Sequence, residues 1–584
     1  MKQTLKNSKY QNIPASLLFV LALFFVLGLG FDFYYDYNDD VLIQDIVSGR
    51  FSGSPDAHCM HLLYPLGLLL CLLYELAPQF PWYALFLCSC MGISLFSITY
   101  RSLSHCKNIL PKTLFLVTEA VLLFVLLLYE LVFVQFTVVA GFLTTAALFL
   151  FITTPKELEP KEFLKKNIAT VILALLGFCV RPNMFFLCSP FIAAVGIFHW
   201  SREKNILARE TIVKYIGVIG AVLLGIGAGM LLDKLAYQSQ DWQEFTRLNA
   251  ARSQLYDFTG YPTYEEAENY YTEINVSRSQ YQLIDTYNYT LDESIDATLL
   301  ENVASYHQEK VSAEAFWPNL FDAIKSILYR TIFDVDRPHN YFVIAAYVLL
   351  IAAAIRAKDK SYFWKLPLLL LFRMIPWLYL VMSDRVPQRI VHPLYCAELL
   401  ILLTLTAGLL KECRKFSKLK AGFIAGTFVI FGILSLCFWK LSYETVKYEA
   451  LNREQNNICW NAFESYAKEN PDNFYCLDVY STVIYKDKIF KASDHSQKNY
   501  DLMGGWIAKS PLQREALSNF TSTEKESLAQ ALLGDHFYFV IDPNRSYEFL
   551  IDYYADQGKN VELQEITRFG QDQTTLIVYK VVEQ

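Results

Sequence analysis

The chain has 584 residues, 54% hydrophobic, 15% aromatic and 19% charged, with a formal net charge of −7 and a mean hydropathy of +0.24. Soluble globular chains run nearer about 45–50% apolar and about 25% charged, so both departures point to lipid and exclude an ordinary soluble enzyme. No basic surface stands out for nucleic acid, and the twelve cysteines hold no CxxC pair, which removes zinc and dithiol readings.

Lys2, Lys6 and Lys9 precede an apolar run at 15–31, so the positive-inside rule leaves the N-terminus in the cytoplasm. No small-residue cleavage site follows, and the run reads as an uncleaved anchor. Next comes an acidic stretch, 32–60, that packs Asp32, Asp36, Asp39, Asp40, Asp45 and Asp56 between two apolar runs. Charges held this close to a bilayer are costly and tend to mark function. The competing reading is an acidic loop that only keeps one membrane face soluble.

Two apolar runs follow, 61–77 and 82–100, separated by Pro78 and Pro81. If both crossed, every later basic loop would be inverted. With 61–77 as a juxtamembrane helix, the basic segments 101–112, 153–167, 201–214, 356–365 and 411–420 all fall inside. The remaining spans are then 113–129, 131–152, 168–180, 184–199, 212–232, 339–356, 365–382, 389–410 and 421–441. That gives about eleven membrane helices. The outward segments are 32–81, a turn at Tyr129-Glu130, the turn around Arg181, the large loop 233–338, and 383–388.

The expected architecture is an α-helical multi-pass domain, 1–441, followed by an extracytoplasmic α/β domain, 442–584. Strands are expected at 474–480, 536–542 and 574–582. Thr523 with Glu526 makes a capping box that opens a helix through Leu533. Gly558 closes a helix that begins at 547.

Polar groups gather on the outward side. Asp39 and Asp40 are candidates for a general base, since a carboxylate deprotonates a hydroxyl as that oxygen attacks. Arg181, Arg385, Arg389 and His392 share that side by topology, and guanidinium groups hold phosphate bidentately. The bland reading of these arginines is snorkelling to lipid headgroups. Asp56, His58, His61 and Tyr37 are candidates for sugar or acceptor contacts, against the usual role of such aromatics as an interfacial belt. Glu119, inside a span, reads as a paired structural carboxyl. No Gly-rich phosphate cradle is present, so a nucleotide substrate is not expected.

The acidic pair in the first outward loop, the Gly-Arg-Phe-Ser-Gly stretch at 49–53 and the Pro-containing juxtamembrane helix from 61 carry a resemblance. Together with about eleven spans and a C-terminal soluble domain, they resemble the GT-C superfamily of integral-membrane glycosyltransferases, and most of all its bacterial envelope members. The resemblance implies transfer of a sugar from a polyprenyl-phosphate donor to a glycan, lipid or protein acceptor at the outer face of a plasma membrane. It further implies inversion, with Asp39 or Asp40 as the base and the Arg385–Arg389 loop on the phosphate. Gln135 and Thr137 stand where several relatives place a second acid, so no metal and no other cofactor is expected. A flippase of lipid-linked saccharides and a polysaccharide polymerase or ligase are the alternative readings.

Overall fold

The computed structural model describes residues 2–312, 316–412, 419–491, 496–521, 526–571 and 574–584. Helix α1 (Lys2–Gly30) leads to strand β1 (Tyr34–Tyr35), α2 (Asn38–Ser48), α3 (Tyr64–Leu76), α4 (Trp82–His105) and α5 (Ile109–Val132). Strand β2 (Phe133–Val134) then opens α6 (Phe136–Ile152), followed by α7 (Pro160–Lys166), α8 (Ile168–Val180), α9 (Pro182–Trp200) and α10 (Arg209–Ala236). Short helices α11 (Gln240–Ser253), α12 (Glu268–Glu273), α13 (Arg278–Asp285) and α14 (Ala297–Ser312) come next. The helical part closes with α15 (Phe316–Ile332), α16 (His339–Ala357), α17 (Tyr362–Met382), α18 (Gln388–Glu412) and α19 (Leu419–Glu469).

Among the described residues, nine helices are long and apolar enough to cross a membrane, or ten if α7 and α8, bent by 43°, form one span. The expected eleventh is α6, which has only 17 residues and rises about 25 Å against a hydrocarbon core of about 30 Å. Its sequence is apolar all round because every residue from Phe136 to Leu150 is buried, enclosed by α4, α8, α9 and α18. A Cβ on Gly141 would stand 2.5 Å from the Cβ of Pro393, so glycine is what lets α6 and α18 approach this closely. Helix α3 has 13 residues, a rise of about 20 Å, and is too short to cross.

The middle of the acidic stretch, Asn38–Ser48, is a helix and not a loop. Asp39 and Asp40 sit in the first turn of α2, and Gly49 closes it with φ of 83°. Carboxylates suit that end because the helix dipole is positive there. Strand β1 pairs in parallel with β2. On its other side Tyr35 N–H donates to the Asp487 carbonyl, and Ile489 N–H donates to the Phe33 carbonyl. The stretch is therefore held by the bundle and by the C-terminal region together.

Helix α19 has 51 residues, about 77 Å of rise, and runs without a break through the composition change at 441/442. Beyond it lie β3 (Phe474–Leu477), α20 (Val479–Thr482), β4 (Tyr500–Leu502), α21 (Pro511–Ser518), α22 (Leu528–Ala531), β5 (Phe537–Ile541), α23 (Glu548–Asp556), β6 (Val561–Gln571) and β7 (Thr574–Glu583). The sheet order is β4-β3-β5-β7-β6. Strand β3 is parallel to both β4 and β5, and the last two strands run antiparallel. The three expected strands are β3, β5 and β7. Strand β4 was too short to read, and β6 is an edge strand rich in charge. Gly558, at φ 75°, follows α23 as expected. Thr523 lies outside the described residues, and α22 is opened instead by a capping box of Ser527 and Gln530.

The second half of α11 and the elements through α14 pack with this sheet domain, while Trp242 and Phe245 at the start of α11 pack in the bundle core. Tyr271, Leu283 and Leu300 share one apolar core with Phe474, Phe539, Leu550 and Val581. A Cβ on Gly504 would stand 1.8 Å from the Tyr287 carbonyl oxygen, so the two segments meet backbone to backbone.

Candidate functional site

Between one end of the bundle and the sheet domain lies a cavity of about 630 Å³, within the range of about 300–1,000 Å³ typical of ligand sites. The N-terminal ends of α2, α6, α9 and α18 reach it through Asp39, Phe136, Asn183 and Arg389. Helix N-termini carry partial positive charge, so four of them converging favour an anion. The α6 end is already satisfied: Gln135 Oε1 accepts from Thr137 and Val138 N–H, and Asp40 Oδ1 accepts from Phe136 N–H. The α2 and α9 ends have no side-chain cap.

Arg181, the residue before α9, donates to His61 Nδ1 at 2.8 Å and lies 5.2 Å from the Phe136 ring centre. Burial pushes its pKa down to about 10; Asp39 opposes that shift, while Arg389 and Arg385 reinforce it. His61 is held well below its ordinary value by burial and then by Arg181. It is therefore neutral, with its proton on Nε2 and its Nδ1 lone pair on the guanidinium. Arg389 stacks 4.2 Å over the Tyr37 ring. Arg385 and Arg252 share Asp257, at 3.5 and 3.6 Å, and Arg252 also donates to Asn249 Oδ1 and the Tyr287 hydroxyl. Four guanidiniums thus face one end of the cavity.

The acidic pair is split. Asp39 lines the cavity, and its Oδ1 accepts from Trp506 Nε1 at 3.1 Å. Asp40 points away into the protein and is fully buried. It accepts from the Tyr83 hydroxyl at 2.8 Å and from Phe136 N–H. Burial drives its carboxyl well above the usual range. Of the pair, Asp39 alone lines the cavity.

The opposite end of the cavity is aromatic and acidic, lined by Trp460, Tyr485, Tyr500, Asp487 and Asp501. Lys498 pairs with Asp45 at 3.2 Å, and Arg50 bridges Asp45 and Glu464. Lys491 pairs with Glu464 from the other side. Burial, reinforced by Glu464, pushes Asp487 up to about 6.

The other expected residues lie off the cavity. His392 Nδ1 contacts Glu130, and its ring stacks 3.9 Å from His339, so it is occupied inside the bundle. His58 meets Asp56 at 2.7 Å and stacks 4.3 Å from Trp242 in an aromatic box. Tyr37 supports Arg389 from below without lining the space.

A second cavity, about 520 Å³, adjoins the first, with Met60 and Thr246 lining both. Asp233, Lys234 and Tyr237 complete it at the end of α10, where Leu231, Leu232 and Leu235 are exposed.

Sequence reading did not assign roles to Arg252, Asp257, Trp506, Lys498 or Asp487. The Gly504-Gly505-Trp506 run was the one available signal, since paired glycines let a backbone approach closely. Comparison of the chain with family models, curated proteins and solved structures gives no match.

Proposed function

We propose that the protein is a membrane glycosyltransferase that moves a sugar from a polyprenyl-phosphate-linked donor to an acceptor hydroxyl at the outer face of the membrane. The observation that carries this reading is that Asp39 and the guanidiniums of Arg181 and Arg389 face one cavity at the end of an apolar helical bundle. A carboxylate opposite a concentration of uncompensated cations suits a reaction in which a proton leaves one partner and negative charge grows on the other.

The acceptor oxygen attacks the anomeric carbon from the side opposite the leaving group. The bond between that carbon and the phosphate oxygen breaks, and its electron pair goes to the lipid phosphate. The acceptor proton passes to Asp39. Trp506 orients Asp39 through its indole N–H, while the arginines and the open α9 N-terminus receive the phosphate. The second cavity leads toward the apolar face of α10, a route for the isoprenoid tail. Trp460, Tyr485 and Tyr500 pack together as the aromatic wall of the space left for a sugar acceptor.

The test is transfer from a panel of radiolabelled polyprenyl-phosphate sugars by purified protein in lipid, with Asp39→Asn as the control. Transfer abolished by that substitution supports the reading. Movement of lipid-linked sugar across liposomes without transfer replaces it with a flippase.

A further inference from the structure

Taken whole, the lining of the cavity is neutral, with five basic side chains against five carboxylates. The signs are segregated. Lys498 belongs to the aromatic end and is neutralised there by Asp45. At the other end Arg181, Arg252, Arg385 and Arg389 face only Asp39 and Asp257, a surplus of two positive charges.

The four guanidiniums form two pairs on separate elements. Arg252 and Arg385 share Asp257, one from α11 and one from the turn before α18. Arg181 and Arg389 stand at the N-terminal ends of α9 and α18, one against the neutral ring of His61 and one over Tyr37. Arg181 is thus a half-buried guanidinium whose direct hydrogen-bond partner carries no charge. Such a cation is costly until an anion arrives.

We infer that the donor carries a diphosphate, not a monophosphate, between its lipid and its sugar. This rests on the glycosyltransferase reading and names the headgroup of that same site. A diphosphate joined at both ends carries two negative charges, which match the resting surplus. When the bond to the sugar breaks, the departing lipid diphosphate carries three. Asp39 takes up the acceptor proton in the same step and loses its charge, so the surplus also rises to three. A monophosphate falls one charge short before the step and after it. The Arg181 and Arg389 pair is suited to grip one phosphoryl group in the bidentate manner of arginine, and the pair held by Asp257 sets its remaining positive charge beside the second.

Binding is measured on the intact protein in lipid nanodiscs, by the fluorescence of the cavity tryptophans. The probes are methyl farnesyl phosphate, P1-farnesyl-P2-methyl diphosphate and dimethyl diphosphate. The farnesyl diphosphate diester is expected to bind on the order of 10-fold or more tighter than the monophosphate diester. Arg385→Gln is expected to bring that ratio near one while the melting temperature of the unliganded protein is unchanged. Should that variant not fold, the wild-type ratio decides the matter alone. Equal affinity for both lipid probes overturns the diphosphate and leaves the lipid-phosphate reading standing. Binding of neither removes that reading together with the inference. Dimethyl diphosphate binding as tightly as its farnesyl counterpart overturns the lipid link.

Discussion

The indole Nε1 of Trp506 donates to Asp39 Oδ1 at 3.1 Å and joins residues 467 positions apart. One comes from the turn after β4 and the other from the first turn of α2, so the carboxylate facing the cavity is oriented by a side chain of the sheet domain. The site exists only where the two parts meet.

Asp39→Asn is expected to lower transfer by on the order of 10²–10⁴-fold, with an unchanged melting temperature. Asp40→Asn should cost far less than Asp39→Asn, because Asp40 points away from the cavity and the amide oxygen keeps both accepted hydrogen bonds. Asp40→Ala should instead destabilise by about 1–3 kcal/mol for each polar group left unpaired, the Tyr83 hydroxyl and the Phe136 N–H. Radiolabel transfer and thermal unfolding of the three variants check this. Full transfer by Asp39→Asn would remove the base assignment.

Arg181→Met is expected to act in opposite directions on stability and binding. It removes a half-buried cation that makes no ion pair among the described residues and whose charged form burial disfavours, so the unliganded protein should melt higher. Affinity for a phosphate-bearing lipid should fall at least about tenfold. A melting curve and a binding isotherm on the same sample decide it; unchanged affinity would take Arg181 out of the anion site.

Arg50→Ala should separate the acidic stretch from the sheet domain. The guanidinium lies 3.5 Å from Asp45, 3.3 Å from Glu464 and 3.2 Å from the Tyr500 hydroxyl, and all three partners are buried or nearly so. Breaking one side of a buried ion pair costs about 3–5 kcal/mol. Hydrogen exchange should rise at residues 38–53 and 498–502 together; a rise confined to one of them would contradict the clamp.

Asp487 gives a pH signature. Its carboxyl lies at about 6 when folded against about 3.9 for an ordinary aspartate. Between those values the folded protein holds a proton that the unfolded chain has lost. Its contribution is therefore fully present below about pH 4 and is lost as pH rises through about 6. The stability difference between wild type and Asp487→Asn should shift against the wild type by about 3 kcal/mol across that window and stay level above it. Denaturant titrations at closely spaced pH values check this, and a flat difference would refute it.

Much of the frame was legible in the sequence because it follows from local pattern. Long apolar runs, the short helix from 64, the strands at 474, 537 and 574, and the glycine after α23 each depend on residues close in the chain. The site was half legible. Arg181, Arg385, Arg389, His61 and Asp39 were named from composition and placement, and they do meet. His392 and His58 share the same chemistry but are taken up by Glu130 and Trp242, partners 262 and more than 180 positions away, and Asp56 is taken up by His58. Which member of the Asp39-Asp40 pair faces the cavity depends on the register of α2 against α4 and α6. The acidic stretch hid its helix because its apolar face is narrow. The expected boundary at 441/442 falls in the middle of α19, where polarity changes and the backbone does not.

That helix bears on how the cavity opens. Residues 442–469 contain neither glycine nor proline, and Arg453, on the same rod, is anchored to Asp36 at 2.7 Å and to the Tyr35 carbonyl. A continuous strut, pinned partway along, offers no hinge within residues 442–469. On the transferase reading, traffic of substrate and product then falls to the 56–63 segment and the 383–388 turn, which reach the cavity at Met60, His61 and Arg385. On that reading, the expected gate is the rattling of a latch, not the swing of a door.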